Sequence, residues 1–272
     1  MAESLAALGK VVLAVAIAVP LAIYFLQERL IFFPQPLSEA SRSAVAARFS
    51  SSAQEIFIRG EGNNRLHAWY VKGRPDAPLV IYFGGNAEEV SWMLGDATTR
   101  APGIGWLLVD YRGYGASEGS PSEAGISADA LAWHDHAAKE LGASSVVAFG
   151  RSLGSGAAVF LASQRKLDAV ILVTPFDSLV AVAGHYYPWL PVGWMLKHRF
   201  DSVDLAPKLT VPLLCLAATR DEVIPVNHAK RLYDAWGGPK RWVALEEAGH
   251  NTTDSHPLFW QSVMDFLARM SR

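Results

Sequence analysis

The chain has 272 residues, of which 51% are hydrophobic, so it is long enough to form one substantial buried core. Its 24 basic and 26 acidic residues give a net charge of -2 at pH 7, without a basic stripe or an acidic block. This balance argues against nucleic acid as a partner. The single cysteine, Cys215, excludes an internal disulfide and a cysteine-based metal cage.

The N-terminal segment is unusual for a soluble domain, because Val11 to Leu26 contains no charged residue. Those sixteen residues would form a helix of about 24 Å, slightly short of a bilayer core, and flanking residues can supply the missing turn. We predict a single-pass membrane anchor and its flank over residues 1–34, followed by a globular domain over residues 35–272. The alternatives are a cleaved secretory signal, with Ala16-Ile17-Ala18 as the cleavage pattern, and a helix packed on the domain.

From about residue 53, short β-rich apolar runs alternate with helical patterns, which is typical of a parallel sheet with helices on both faces. We therefore predict an α/β fold with a mostly parallel sheet of seven or eight strands. The predicted strands are Glu55–Arg59, Leu66–Val71, Leu79–Phe83, Trp106–Val109, Ser145–Phe149, Ala169–Val173, Leu213–Ala217 and Arg241–Leu245. The predicted helices are Glu88–Leu94, Ala124–Leu141, Gly154–Gln164, Val226–Ala235 and Leu258–Met270.

The segment from Asp177 to Lys208 interrupts this alternation, because HYYPWLPVGWMLKHRF concentrates aromatic residues and prolines without a strand or helix period. We interpret it as a small lid insertion over the carboxyl-terminal edge of the sheet. Its apolar side chains either wall a groove for an acyl chain or merely cover the sheet. They are Tyr186, Tyr187, Trp189, Leu190, Trp194 and Met195.

The most specific motif is SVVAFGRSLGSGAAVFLA, where a β-branched strand runs through Gly150-Arg151-Ser152-Leu153-Gly154 into a small-residue helix. This is a G-x-S-x-G pattern in a strand–turn–helix context, which predicts Ser152 as a nucleophile on a strained turn. Side chains in place of the flanking glycines would collide with the neighbouring strand or helix. The backbone N–H of Leu153 is the predicted first oxyanion donor.

A second glycine turn, Gly84-Gly85-Asn86, follows the third predicted strand, where the other oxyanion donor is needed. The two glycines permit a close approach of the backbone to a reacting carbonyl. The backbone N–H of Asn86 is the best candidate for the second donor, and that of Gly85 is the alternative.

An acid and a histidine should follow the serine, each on a loop after a strand. Asp221 follows the strand VPLLCLAA, and His250 follows RWVALEE. We predict that Asp221 accepts the Nδ1–H of His250, so that Nε2 faces Ser152 and takes its proton. Asp177, at the end of the preceding strand, is the rival acid, because a triad acid can occupy either position.

These motifs together resemble a known family, since GRSLGSG, GGNAEE, VDYRGYGASEGSPSEAG, TRDEVIPVNHA and AGHN occur in a familiar order. The chain resembles the membrane-anchored α/β-hydrolases of the acyl-protein thioesterase and lysophospholipase or monoacylglycerol lipase-like branch. The resemblance implies an α/β-hydrolase fold, Ser152, Asp221 and His250 as the catalytic triad, and Leu153 and Asn86 as oxyanion donors. The chain departs from many relatives at Gly84, where they have a histidine.

The expected activity is hydrolysis of a carboxylic ester or thioester through an acyl-enzyme intermediate, without metal or organic cofactor. A small-molecule or lipid acyl substrate and a membrane, bound through the N-terminal helix, are the expected partners. Lid residues Tyr186, Tyr187, Trp189 and Trp194 are the candidate substrate contacts. The alternatives are a serine peptidase on the same fold and a non-catalytic membrane interaction module.

Overall fold

The computed structural model describes residues 2–270, and eight strands form its sheet. The strands are β1 (Gln54–Arg59), β2 (Arg65–Val71), β3 (Leu79–Phe83), β4 (Gly105–Val109), β5 (Val146–Arg151), β6 (Ala169–Val173), β7 (Leu213–Ala218) and β8 (Lys240–Leu245). They lie in the order β1-β2-β4-β3-β5-β6-β7-β8. Strand β2 pairs antiparallel with β1 and β4, and all other neighbours pair in parallel. The predicted α/β fold with a mostly parallel sheet is confirmed, with every strand within two residues of its predicted bounds.

The central strands read as continuous apolar runs because both faces of the sheet are covered. All residues of β3, β4 and β6 are buried. Successive side chains of one strand point to opposite faces, so Ile81 joins one hydrophobic cluster while Val80 and Tyr82 join the other. Apolar side chains therefore pack on both faces of the sheet. The loops at its carboxyl-terminal edge lie outside these layers and can carry a site.

The helices outside the lid lie close to their predicted positions, with two differences, and the lid, where no helix period was found in the sequence, contains three short helices. The helices are α1 (Ala2–Ile31), α2 (Glu39–Arg48), α3 (Met93–Thr99), α4 (Glu123–Lys139), α5 (Leu153–Gln164), α6 (Leu179–Tyr186), α7 (Val192–Met195), α8 (Ser202–Leu205), α9 (Val226–Ala235) and α10 (Pro257–Leu267). Helix α2, whose N-cap is Ser38, was not predicted, and α3 begins five residues later than the predicted start at Glu88. The late start follows from the Glu88 carboxylate, which accepts the backbone N–H of Gly85 in the preceding turn.

In the part of the chain that the structure describes, the hydrogen bonds of α1 to the globular domain lie near its end. Residues Ala7–Ile31 are long and apolar enough to cross a membrane, and the apolar window has no buried residues. Near the end, Gln27 is buried and its amide donates to the carbonyl of Met195 at 3.1 Å and accepts the N–H of Lys197 at 2.7 Å. Phe32 packs into the core. The last residues of the predicted anchor, such as Gln27 and Phe33, therefore bond to the globular domain. The division of the chain at residue 35 stays a prediction.

Candidate active site

The turn that carries Ser152 joins β5 directly to α5. Ser152 has a φ of 50° and a ψ of -117°, a strained conformation for a residue with a side chain. A Cβ atom on Gly150 would collide with the carbonyl of Gly154, and one on Gly154 would collide with the carbonyl of Phe83. The collisions expected at the flanking glycines are thus confirmed, and the tight turn holds Ser152 at the end of the central strand.

His250 lies between Ser152 and Asp221, as the triad prediction requires. Its Nε2 is 2.9 Å from the Ser152 Oγ, and its Nδ1 is 2.8 Å from Oδ2 of Asp221. Asp221 is in turn oriented by the backbone N–H groups of Val223 and Ile224, at 2.9 and 2.7 Å from its Oδ1. With the proton on Nδ1 donated to the carboxylate, Nε2 is free to accept the serine proton. The three side chains therefore have the mutual geometry expected of a triad, and their catalytic role stays a prediction.

The rival acid, Asp177, has other partners. Its Oδ1 lies 2.7 Å from Nδ1 of His228, and its Oδ2 accepts a hydrogen bond of 2.5 Å from Nε of Arg231. Burial raises the pKa of Asp177, but the hydrogen bonds from Arg231 and His228 outweigh it and hold the pKa below its usual value. The ionised carboxylate of Asp177 therefore bonds to two residues of α9. Of the two candidate acids, Asp221 is the one that bonds to His250.

The two predicted oxyanion donors flank the nucleophile. A Cβ atom placed on Gly85 would lie 3.7 Å from the Cβ of Ser152, so the Gly84-Gly85-Asn86 turn passes beside the serine. Within residues 2–270, the backbone N–H groups of Leu153 and Asn86 have no hydrogen-bond acceptor. The N–H of Gly85, the alternative donor, is already donated to Oε2 of Glu88 at 2.6 Å. Leu153 and Asn86 therefore remain the candidate oxyanion donors, and that role stays a prediction.

The side chain of Asn86 binds the end of the N-terminal helix, a contact that the sequence did not predict. Its Oδ1 accepts the backbone N–H of Phe33 at 3.0 Å and the hydroxyl of Tyr114 at 2.8 Å. Its Nδ2 donates to the carbonyl of Ile31 at 2.5 Å. Burial raises the pKa of Tyr114 to about 12, so its hydroxyl stays protonated as a donor. Residues 31–33 therefore help to hold the Gly84-Gly85-Asn86 turn in place. We call this turn the oxyanion turn, after its predicted role.

The lid residues have exposed aromatic side chains. Trp189 is 70% exposed and Trp194 is 93% exposed. Tyr186 and Tyr187 are also exposed, and the Tyr186 hydroxyl donates to the carbonyls of Glu222 and Val223 at 3.2 and 3.0 Å, beside Asp221. Tyr186 therefore connects the lid to the loop of the acid, whereas the two tryptophans project outward and do not wall a closed groove. Their contact with substrate stays a prediction.

Similarity to known proteins agrees with the fold. Residues 78–202 match the family described as alpha/beta hydrolase fold. An uncharacterized protein of Mycobacterium tuberculosis, Rv2307c, is 34% identical over 249 residues, which cover 89% of this chain and 86% of that protein. The alpha/beta hydrolase domain-containing protein WAV2 of Arabidopsis thaliana is 30% identical, covering 89% and 88%. The uncharacterized membrane protein YNL320W of Saccharomyces cerevisiae is 30% identical, covering 79% of each chain.

Among solved structures, the esterase Pf2001 of Pyrococcus furiosus superimposes with a TM-score of 0.67. The sequences are 18% identical, and the match covers 89% of this chain and 100% of the esterase. At this identity the likeness concerns the fold. Together with the sequence relatives, it establishes that the chain belongs to the α/β-hydrolase family.

Proposed function

We propose that this protein is a serine hydrolase that cleaves carboxylic ester or thioester bonds, with Ser152 as nucleophile, His250 as general base and Asp221 as the acid that orients it. The observation that carries the proposal is the position of His250, whose Nε2 is 2.9 Å from the Ser152 Oγ while its Nδ1 is 2.8 Å from Asp221. A histidine held between a strained serine and a buried carboxylate is suited to proton transfer to and from the serine.

The reaction has two steps. The Ser152 Oγ attacks the substrate carbonyl as His250 takes the hydroxyl proton, and the oxyanion accepts hydrogen bonds from the N–H groups of Leu153 and Asn86. The carbonyl re-forms, and the alcohol or thiol leaves with the proton from His250. Water then attacks the acyl-enzyme, gives a proton to His250, and the acid is released as that proton returns to Ser152. Both steps use the same groups, so no metal or organic cofactor is needed.

We further propose that the substrate carries an acyl chain and that the enzyme meets it at a membrane. The apolar part of α1 lies away from the domain, and a yeast relative is named as a membrane protein. The exposed lid aromatics lie on the segment that Gln27 binds at the end of α1, at Met195 and Lys197. Tryptophan is favoured where a protein meets the membrane–water interface. Each buried methylene contributes about 0.8 kcal/mol, so a chain of even a few carbons would dominate substrate choice.

The test of the activity is a competition experiment on the full-length protein in detergent. A fluorophosphonate probe labels the protein, and acyl esters, acyl thioesters and peptide amides compete with the labelling. We expect esters and thioesters to protect the serine and to be turned over. Turnover of peptide amides alone would favour a peptidase, and absence of both labelling and turnover would favour a non-catalytic module.

The test of the lipid part is the dependence on acyl length. We expect Trp189→Ala and Trp194→Ala to lower kcat/KM more for long-chain esters in vesicles than for acetate in solution, because their side chains extend outward from the domain. Equal losses in kcat/KM at all chain lengths would be consistent with a hydrolase but would show that the lid does not select the acyl chain.

A further inference from the structure

Glu88, in the turn after β3, is a buried carboxylate saturated with hydrogen-bond donors. Its Oε1 accepts the Tyr82 hydroxyl at 2.7 Å and the Trp92 indole N–H at 2.9 Å. Its Oε2 accepts the Gly85 backbone N–H at 2.6 Å and Nη1 of Arg151 at 2.8 Å. Four donors from four places fix the carboxylate and compensate for its burial. The oxyanion turn is therefore closed around Glu88.

Arg151 continues this network to the loop of the general base. It is the residue that directly precedes Ser152 in the nucleophile turn. Its Nη1 binds Glu88, while its Nη2 lies 3.4 Å from the carbonyl of His250 and 3.2 Å from Oδ1 of Asn251. The planar guanidinium therefore spans from the oxyanion turn to the histidine loop.

Gly84 fits the same arrangement. A Cβ atom on Gly84 would lie 3.0 Å from Oε1 of Glu88 and 3.0 Å from Cγ1 of Val90, which is tighter than ordinary contact. A histidine at this place would therefore compete with the Glu88 carboxylate for space. The glycine in the oxyanion turn and the glutamate four residues later form one unit in this chain.

We propose that Glu88 and Arg151 are positioning residues. They fix the relative positions of the oxyanion turn, the turn that carries Ser152 and the loop that carries His250. The proposal rests on the serine hydrolase function argued above. Within residues 2–270, neither side chain is hydrogen-bonded to the Ser152 hydroxyl or to the His250 ring. Glu88 holds the Gly85 N–H, which fixes the direction of the next N–H, that of Asn86, toward the oxyanion. Arg151 holds the backbone of His250 at the same time. Donors that are fixed before the reaction stabilise the transition state more than the bound substrate, so the network should act on kcat.

The test uses Glu88→Gln, which keeps the shape of the side chain and removes its charge. On a soluble ester such as p-nitrophenyl butyrate, we expect kcat per active site to fall about tenfold or more while KM changes less than about twofold. The pH dependence of kcat/KM is the second readout. Asp221 bonds the ring of His250, while Glu222 and Arg151 bond its backbone, and Asp254 is a further anionic neighbour of Arg151. Glu88→Gln removes a negative charge and Arg151→Met removes a positive charge, so we expect the two variants to displace the pH profile in opposite directions.

A matched control is the other buried arginine–carboxylate pair, in which Arg112 binds Asp129 through two hydrogen bonds of 2.7 and 2.8 Å. Asp129→Asn should lower the melting temperature without changing kcat or the pH profile. The double variant Glu88→Gln with Arg151→Met should be no slower than the slower single variant, because both changes break one unit.

Several outcomes would overturn the proposal. One is a Glu88→Gln enzyme with the kcat and pH profile of the original protein. Another is a Glu88→Gln enzyme that loses thermal stability but keeps its kcat, as expected for Asp129→Asn. If Glu88→Gln does not fold, the same readouts on Arg151→Met decide, and an unchanged kcat and pH profile there rejects the positioning role. Active-site titration with the fluorophosphonate normalises each rate to competent enzyme. Activity that survives Ser152→Ala would instead reject the hydrolase function, so the two failures are distinguishable.

Discussion

The backbone N–H of Phe33 donates a hydrogen bond of 3.0 Å to the Oδ1 of Asn86, and so joins the end of the N-terminal helix to the oxyanion turn. The Asn86 amide also donates to the carbonyl of Ile31. One side chain thus holds two backbone groups at the end of α1 and just after it, while the backbone N–H of Asn86 has no acceptor within residues 2–270. The segment that follows the apolar helix is therefore a structural element of the proposed site.

Asn86→Ala tests this relationship, because it keeps the backbone N–H and removes the side-chain contacts. We expect kcat on a soluble ester to fall about tenfold, since the turn loses the hydrogen bonds that orient it. The matched control is Asn64→Ala, which removes a side-chain bond to the carbonyl of Glu61 in a surface turn. An Asn86→Ala enzyme as active as Asn64→Ala would show that the orientation of the turn does not depend on this contact.

Two truncations separate the apolar helix from the segment that supports the site. A chain beginning at Leu26 retains Gln27, Phe32 and Phe33, so we expect it to hydrolyse a soluble ester like the full chain. A chain beginning at Gln35 loses the burial of Phe32, which contributes about 2 kcal/mol, and the hydrogen bonds of Ile31 and Phe33 to Asn86. We expect it to be slower and less stable. Kinetics and thermal melting of the two proteins in the same detergent make the comparison, and equal activity would contradict it.

The choice of acid is tested by two amide substitutions. Asp221→Asn should lower kcat about 10³–10⁴-fold, because an asparagine favours the wrong histidine tautomer. Asp177→Asn should weaken the contacts to His228 and Arg231 and lower stability, with a much smaller effect on kcat. If the larger loss in kcat follows Asp177→Asn, the assignment of the acid is wrong.

The tight packing of the nucleophile turn is tested by Gly154→Ala. The added Cβ would collide with the backbone of β3 at Phe83, so we expect a loss of at least about 2 kcal/mol in the free energy of unfolding. Gly95→Ala in α3 meets no atom within 4 Å and should be neutral or stabilising by up to about 1 kcal/mol. Denaturant unfolding measures both. A Gly154→Ala protein as stable as the Gly95→Ala protein would contradict the proposed reason for the glycine.

The sheet could be predicted from the sequence because its strands carry a local signal. Runs such as Leu79–Phe83 and Ala169–Val173 are apolar throughout, since both faces of the sheet are covered. Ser152 was predicted from the G-x-S-x-G motif, and Asp221 and His250 were predicted from their order on loops after later strands. The carboxyl ends of parallel strands meet at one edge, which is why these loops come together. The sequence thus led to the residues that the structure brings together around His250.

The parts that could not be predicted depend on contacts between distant residues. Glu88 has the sequence context of a helix start, but its carboxylate turns back to Gly85 and across to Arg151, 63 positions away. The bonds between Asn86 and residues 31–33 join segments whose local patterns indicate only a glycine turn and an apolar helix. The outward direction of Trp194 depends on how the short lid helices pack. Periodicity carries no information on any of these pairings.

The most direct test of the central claim compares the full-length protein with its Ser152→Ala variant. In the same detergent, hydrolysis of a soluble ester and labelling by a fluorophosphonate are measured, with thermal melting as the control for folding. Removal of the nucleophile of a triad has cost about 10⁶ in kcat in a studied serine protease. We predict loss of labelling and a fall in turnover of several orders of magnitude, with little change in the melting temperature. Turnover or labelling that survives in a folded Ser152→Ala protein would contradict the account.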